Sequence, residues 1–281
     1  MPNIAFVNGT WSPLASAKIS VEDRGFQFGD GVYELLRTYG GRLFHADEHL
    51  ARLQLSAKKI EITLPYTPQQ MEKMIRLGCK KSGYADTKVY IQVTRGIAPR
   101  LHSFPEKVKP TVVMTFRKFE PLPEKMQQEG VAVISLEDIR WGRCHVKSLN
   151  LLPNVMAREQ ALRSNAFEAI FIRNGKVLEG AGSNLFAVFG KKIVTPPAGP
   201  YILSGITREV VLRVGKKKGL EIIEKEMKLQ SLYAADELFL TGTTVEVLPV
   251  VRLDGKPIGG AKPGKITQFL SEAFKRSVAE R

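Results

Sequence analysis

The stretch HVKSLNLLPN, His145 to Asn154, sets one lysine, Lys147, just ahead of an apolar run heading for a core. A buried ammonium loses its hydration, so an inward-facing lysine is neutralised, paired or chemically employed. Employed lysines attack carbonyl groups. Three other groups share an affinity for anions. Gly205-Ile206-Thr207 opens an expected helix, whose unbonded amides and dipole suit a phosphate. TGTT, Thr241 to Thr244, ends the apolar strand ELFL and offers hydroxyls and amides to the same group. Arg52, on the helix after Asp47, adds a fixed charge. Each alone reads equally well as a cap, a turn or a solvated arginine. Together with Lys147 they make sense around a phosphorylated, carbonyl-bearing cofactor.

Other chemistry finds less support. HADEH, His45 to His49, matches the H-x-x-E-H pattern of one class of zinc peptidase. That pattern needs both histidines on one helix face, whereas Asp47 reads as the helix cap and leaves His45 outside, so no metal site is expected. EGAGSNLF, Glu179 to Phe186, resembles a dinucleotide-binding glycine loop, but the third glycine is missing and a strand follows where a helix is needed. A tight turn between strands is the expectation. The chain has no G-x-S-x-G elbow, and neither cysteine has a base beside it, so ordinary nucleophilic hydrolysis loses support.

The elements that must carry these groups follow from local pattern. IAFVNGTW holds an Asn8-Gly9 pair, the signal of a tight hairpin. A helix is expected from about Asp47 to Ile60, capped by Asp47, with Leu50, Leu53, Ala57 and Ile60 at helical spacing. A second helix begins at Thr67-Pro68. TKVYIQVTRG and PTVVMTFRKF read as strands. EPLPEKMQQEG, Glu120 to Gly130, is polar and proline-bearing, and reads as a linker between a small N-terminal α/β domain, 1–119, and a larger strand-rich domain, 131–281. In the second half GVAVISL, FEAIFIRNGKVLEG and LFAVFGKKIV read as strands, with another hairpin pair at Asn174-Gly175. Helices are expected around Asn154 to Ser164, Gly205 to Lys218 and Lys265 to Ala279.

Bulk properties bound the rest. A chain of 281 residues exceeds what one compact core usually holds, which fits two domains of mixed α and β. The net charge of +14 is scattered among acidic residues, apart from Lys216-Lys217-Lys218. It suits the collection of small anions better than nucleic acid or a membrane surface. Two cysteines, Cys79 and Cys144, make no disulfide framework, so a reducing cytoplasm is expected. No segment approaches the roughly 18 apolar residues of a membrane span.

Seven stretches, DRGFQFGDGVYE, EHLARL, VTRGIAPRLHSFP, DIRWGRCHVKSLNLL, EGAGSN, LSGITR and TGTTVEVLPV, match one family in order. The chain resembles the bacterial D-amino acid aminotransferases, pyridoxal-phosphate enzymes of fold type IV with two domains and the cofactor between them. The resemblance implies that Lys147 forms the Schiff base. It implies that Arg52, the amides of Ile206 and Thr207, and Thr243 hold the phosphate, and that Glu179 pairs with the pyridine nitrogen. Tyr33, Arg100 and His102 are implied as a trap for the substrate carboxylate, the last two reaching across from a second subunit of a homodimer. The implied reaction moves the amino group of a D-amino acid to a 2-oxo acid, 2-oxoglutarate or pyruvate. Branched-chain L-amino acid or (R)-amine transamination is the alternative, and aminodeoxychorismate lyase chemistry a more distant one. The presence of Arg100 and His102 argues against the branched-chain L-aminotransferase and the lyase. Family members often carry serines where this chain has Ala181, Gly182 and Gly242.

Overall fold

Asn8 and Gly9 take positive φ angles of 47° and 99°, the backbone that a two-residue hairpin needs. They join β1 (Ile4–Val7) to β2 (Thr10–Pro13) in antiparallel register. The expected hairpin is therefore present in the computed structural model, which describes residues 3–280. The chain divides into two units. One comprises the residues up to Glu120 together with Val146–Asn150; the other comprises Pro121–His145 and the residues from Leu151 onward.

The first unit is an antiparallel sheet with two helices packed on it. After the one-and-a-half-turn helix α1 (Arg24–Phe28) come β3 (Gly31–Tyr39), β4 (Arg42–Leu43), α2 (Ala46–Lys59), α3 (Pro68–Ser82), β5 (Thr87–Thr94) and β6 (Thr111–Lys118). The strand order is β2-β1-β6-β5-β3-β4. Strand β5 buries Val89, Ile91 and Val93 on one face and leaves the alternating side chains half-buried, the pattern of a strand with one side in a core. Helix α3 starts on a capping box: Gln70 N donates to Thr67 Oγ1 at 3.2 Å and Thr67 N donates to Gln70 Oε1 at 2.8 Å. Pro68 in its first turn costs no hydrogen bond.

One expected cap is corrected. Asp47 does not cap α2; it lies inside the first turn with Glu48, where both carboxylates favour the positive end of the dipole. His45 precedes the helix with φ 50° and makes no side-chain cap bond. Its Nδ1 instead meets Glu48 Oε1 at 2.7 Å.

The second unit is built on a mixed nine-stranded sheet. Its elements are α4 (Glu124–Glu129), β7 (Val131–Glu137), α5 (Leu152–Arg163), β8 (Glu168–Arg173), β9 (Lys176–Gly180), β10 (Asn184–Phe189), β11 (Lys192–Thr195), α6 (Ile206–Lys217), β12 (Glu221–Glu224), α7 (Leu229–Leu232), β13 (Glu237–Gly242), β14 (Glu246–Leu253), β15 (Lys256–Pro257) and α8 (Lys265–Ala279). The order is β12-β11-β10-β13-β14-β7-β8-β9, with β15 paired to β14. The pairs β11–β12, β14–β7 and β7–β8 are parallel, and the others are antiparallel. Its core includes Val133, Ile170, Leu185, Leu238, Leu240 and Leu248. The residues read as a linker, 120–130, contain α4, which packs against β14 within this unit. No helix among the described residues is long and apolar enough to cross a membrane.

Candidate active site

Lys147 belongs to the first unit through a strap of five residues, Val146–Asn150. The strap lies beside the start of β3: Tyr33 N donates to Lys147 O at 2.9 Å, Leu149 N donates to Gly31 O at 3.0 Å, and Val32 bridges Ser148. From the other side, Lys147 N donates to Ser56 Oγ on α2 at 3.2 Å. The backbone of this lysine is therefore held at both its amide and its carbonyl. Gly31 is required for the close approach, since a Cβ there would lie 2.7 Å from Val93 O and 2.8 Å from Leu149 Cδ1. The half-buried Lys147 extends Nζ to 4.2 Å from the centre of the Tyr33 ring. That ring lies 5.8 Å from Tyr90, whose hydroxyl donates to Gln92 Oε1 at 2.7 Å.

Behind the lysine stands a buried charge cluster that no sequence spacing announces. Glu34, fully buried on β3, accepts from Arg52 Nε at 2.6 Å and Arg52 Nη2 at 2.9 Å, both from α2. His49, one helical turn before Arg52, places Nδ1 2.8 Å from Glu34 Oε2. Burial pushes the Glu34 carboxyl upward, but the adjacent Arg52 and His49 outweigh it and hold the group well below the usual carboxylate range. Burial also lowers His49, helped by the charges of Arg52 and Lys147 and opposed by Glu34. A carboxylate only accepts, so the neutral imidazole carries its proton on Nδ1. Two parallel bonds fix the plane of the Arg52 guanidinium.

Tyr33 is on β3, but Arg100 and His102 lie on the exposed connection between β5 and β6. Among the described residues neither makes a hydrogen bond, ion pair or ring contact with Tyr33 or Lys147. Both instead meet Phe28: Arg100 Cζ is 4.7 Å from its ring centre, and the His102 ring centre is 5.6 Å away. The structure brings Lys147, Tyr33 and Arg52 into one neighbourhood and seats Arg100 and His102 on the Phe28 ring.

Glu179 lies near the end of β9 in the second unit and is buried. Arg140 Nη1 donates to its Oε1 at 2.7 Å; Asn184 Nδ2 and Leu203 N donate to its Oε2 at 3.1 and 3.0 Å. Arg140 is in turn gripped by Asp138, whose Oδ1 accepts from Nε at 2.9 Å, and by Tyr201 O, which accepts from Nη2 at 3.0 Å. Its own burial disfavours the charge, yet Asp138 and Glu179 together hold the guanidinium more firmly protonated than usual. The turn 181–183 that follows is closed by Gly180 N donating to Ser183 O at 2.8 Å, as expected for a tight turn between strands. The buried Glu168 accepts from Gly182 N at 3.2 Å and Ser183 Oγ at 3.1 Å, and its burial pushes its carboxyl upward.

Ile206 and Thr207 open α6 and are both buried. First-turn amides have no acceptor within their own helix, and Gly205 supplies no side-chain cap. There is no room for one, because a Cβ on Gly205 would collide with Asn184 Oδ1. Asn184 faces Thr241 across the β10–β13 ladder, so their side chains share a face. Thr241 Oγ1 is buried without a hydrogen-bond partner, and Thr243 is half-buried in the turn leading to β14. An unpartnered hydroxyl beside a helix that begins with buried amides fits a phosphate, which brings acceptor oxygens to each donor.

Arg140, Asp138, Asn184, Glu34 and His49 are functional candidates that sequence reasoning missed. Arg140 and Asp138 sit in the quoted DIRWGR stretch, where an acidic and a basic residue spaced by two are the available signal. Comparison with known proteins adds to this geometry. A family model described as amino-transferase class IV matches residues 31–253. A D-alanine aminotransferase of Staphylococcus haemolyticus is 42% identical over 277 residues, covering 98% of each chain. One of Bacillus licheniformis is 42% identical over 271 residues, covering 96% of this chain and 95% of the relative. Among solved structures, a branched-chain amino acid aminotransferase of T.th. with pyridoxamine 5'-phosphate superposes with a TM-score of 0.92 at 29% identity, covering 100% of this chain and 95% of that one.

Proposed function

The chain belongs to the class IV aminotransferases, and from that premise we propose that it moves the amino group of a D-amino acid such as D-alanine to a 2-oxo acid, 2-oxoglutarate or pyruvate, in two half-reactions with pyridoxal 5'-phosphate. The observation that carries this reading is Lys147 itself: its backbone is tied at both ends and its amine is set over Tyr33, in front of the Glu34–Arg52 pair. The fold is shared with branched-chain aminotransferases at 26% and 29% identity, whereas the named D-alanine aminotransferases reach 42%. That difference supports the D-amino acid assignment.

When bound, the cofactor supplies an aldehyde that captures amines and a ring that accepts electron charge from the substrate Cα–H bond. Lys147 would hold it covalently through Nζ, and the same amine, once displaced by substrate, would be the base placed to take the proton from Cα. Arg52, with its plane set by Glu34, would bind the phosphate, as would the Ile206 and Thr207 amides, Thr241 and Thr243. Glu179 would serve as the acceptor that keeps the pyridine nitrogen protonated, and Arg140, Asn184 and Leu203 N keep that carboxylate oriented. Tyr33, Arg100 and His102 anchor the substrate carboxylate; Arg100 can do so with two parallel hydrogen bonds. A fixed carboxylate and a single base on one side admit the hydrogen of one enantiomer only.

A homodimer completes the reading. The lack of any contact of Arg100 and His102 with Tyr33 among the described residues supports their delivery from a second copy. Helix α5 exposes Leu152, Val155, Met156 and Leu162, apolar groups suited to self-association. The cysteine count suits a reducing cytoplasm. Borohydride treatment of the yellow protein followed by peptide mapping tests the central assignment: the label belongs on Lys147, and Lys147→Ala abolishes turnover. Bleaching of the visible band by L-leucine but not D-alanine would move the substrate assignment to branched-chain L-amino acids.

A further inference from the structure

Phe28, the last residue of α1, is a contact shared by the two separated carboxylate ligands. Arg100 Cζ stands 4.7 Å from its ring centre, and the His102 ring centre is 5.6 Å away at an interplanar angle of 43°. Among the described residues neither side chain has a hydrogen-bond partner or a carboxylate to pair with. The backbone between them is held separately. Buried Arg24, whose guanidinium lies 4.8 Å from the same ring, donates Nη1 to Leu101 O at 2.6 Å and Nε to Asp30 Oδ2 at 2.8 Å. Asp30 Oδ2 also accepts from Arg95 Nε at 2.8 Å. Arg95 donates onward to Ile60 O and Glu61 O at the end of α2, and its guanidinium lies 3.6 Å from the Phe104 ring. The exposed connection is thus pinned on both sides of the pair.

We propose that Phe28 is a positioning residue for the substrate carboxylate: its ring is the platform that fixes the spacing of Arg100 and His102 before substrate arrives. The proposal rests on the carboxylate role given to those two residues above. Its physical basis is ordering. A loop arginine and histidine with no polar partner sample many rotamers, and each must be immobilised when an anion binds. A ring that holds guanidinium and imidazole by a cation–π contact and a tilted ring contact removes that freedom in advance without using any of their N–H groups.

The test is steady-state kinetics of the holoenzyme with D-alanine and 2-oxoglutarate, on Phe28→Leu, Phe28→Tyr, Arg100→Ala and the double variant Phe28→Leu/Arg100→Ala, with thermal melts alongside. Leucine keeps the apolar bulk and removes the ring. Phe28→Leu is expected to raise the KM for D-alanine by roughly three- to tenfold with kcat within about twofold, and Phe28→Tyr to restore the KM. In the double variant, loss of Phe28 should add no more than about twofold to the effect of Arg100→Ala, because the ring acts through the arginine. If Phe28→Leu proves unstable, Phe28→Met replaces it under the same expectations. A wild-type KM in Phe28→Leu, with a raised KM in Arg100→Ala, overturns the platform and leaves the carboxylate assignment standing. A wild-type KM in both overturns the two together. Equal penalties in Leu and Tyr variants, or a fall in kcat and melting temperature with KM unchanged, would mean that the ring serves stability alone, and would also overturn it.

Discussion

Arg140 Nη1 donates to Glu179 Oε1 at 2.7 Å while the same guanidinium is bound to Asp138 Oδ1 through Nε at 2.9 Å. One buried cation thus serves two buried carboxylates, and its removal takes a close counter-charge from each, leaving Asp138 with Arg173 Nη2 at 3.1 Å. Arg140→Leu should cost about 3–5 kcal/mol of folding free energy. Arg140→Lys should recover only part, since a single ammonium cannot reach both carboxylates in the fork geometry. Urea unfolding of the three proteins measures this, and a loss under about 1 kcal/mol in Arg140→Leu would show the pairing to be incidental.

Thr241 separates ligand binding from stability. Its buried hydroxyl has no partner, so Thr241→Val removes a desolvated polar group without breaking a bond. The melting temperature of the cofactor-free protein should hold or rise slightly. The same variant should lose cofactor faster on dialysis, read from the decay of visible absorbance. A drop in cofactor-free stability would mean that the hydroxyl is bonded after all.

Acid should weaken the protein in two stages. His49 is depressed from its ordinary value of 6.5, so the unfolded chain takes up a proton that the folded chain refuses, and stability is lost as pH falls below about 6.5. Glu34 is depressed from 4.5, so its contribution is complete above 4.5 and is lost as pH falls further. Urea midpoints measured from pH 7.5 down to about 3.5 should fall in both ranges. His49→Gln should flatten the upper one and Glu34→Gln the lower. An unchanged slope between pH 6.5 and about 5 in His49→Gln would assign that loss to another group.

Gly205→Ala should be damaging although its φ of −72° is ordinary for alanine. The new methyl would meet Asn184 Oδ1, and Asn184 is the residue that ties Glu179 Oε2 to Leu203 O. Forcing it aside should cost about 1–3 kcal/mol, with weaker cofactor retention. A crystal structure of the variant with Asn184 unmoved would refute the mechanism.

Local signals are legible wherever one residue type dictates the backbone. Asn8-Gly9 and Asn174-Gly175 mark hairpins because few other pairs tolerate two positive φ angles, and Thr67-Pro68 marks a helix start by capping. Asp47 misleads because an acidic residue suits a first turn as well as a cap, and only the left-handed φ of His45 separates the two. The stretch read as a linker hides α4, whose six residues carry too few apolar side chains to show a helical period. Lys147 is conspicuous as a charge ahead of an apolar run. The partners Glu34 and His49 are not, because an ion pair between two distant segments leaves no local spacing, and Asp138 and Arg140 offer only their separation by two residues. The seating of Arg100 on Phe28 is likewise invisible until the connection between β5 and β6 is built.

The strap that bears Lys147 is entered from His145 and left at Leu151, both in the second unit, yet its backbone bonds are to β3 and α2 in the first. No single cut therefore yields a fragment with Lys147 properly held. A piece ending at Glu120 would keep Ser56 and Tyr33 without the lysine, and one starting at Pro121 would carry the lysine without its anchors. Nicking by protease in the strap should thus silence the enzyme even when both halves remain folded, while co-expression of the two pieces is the route by which they could be reunited.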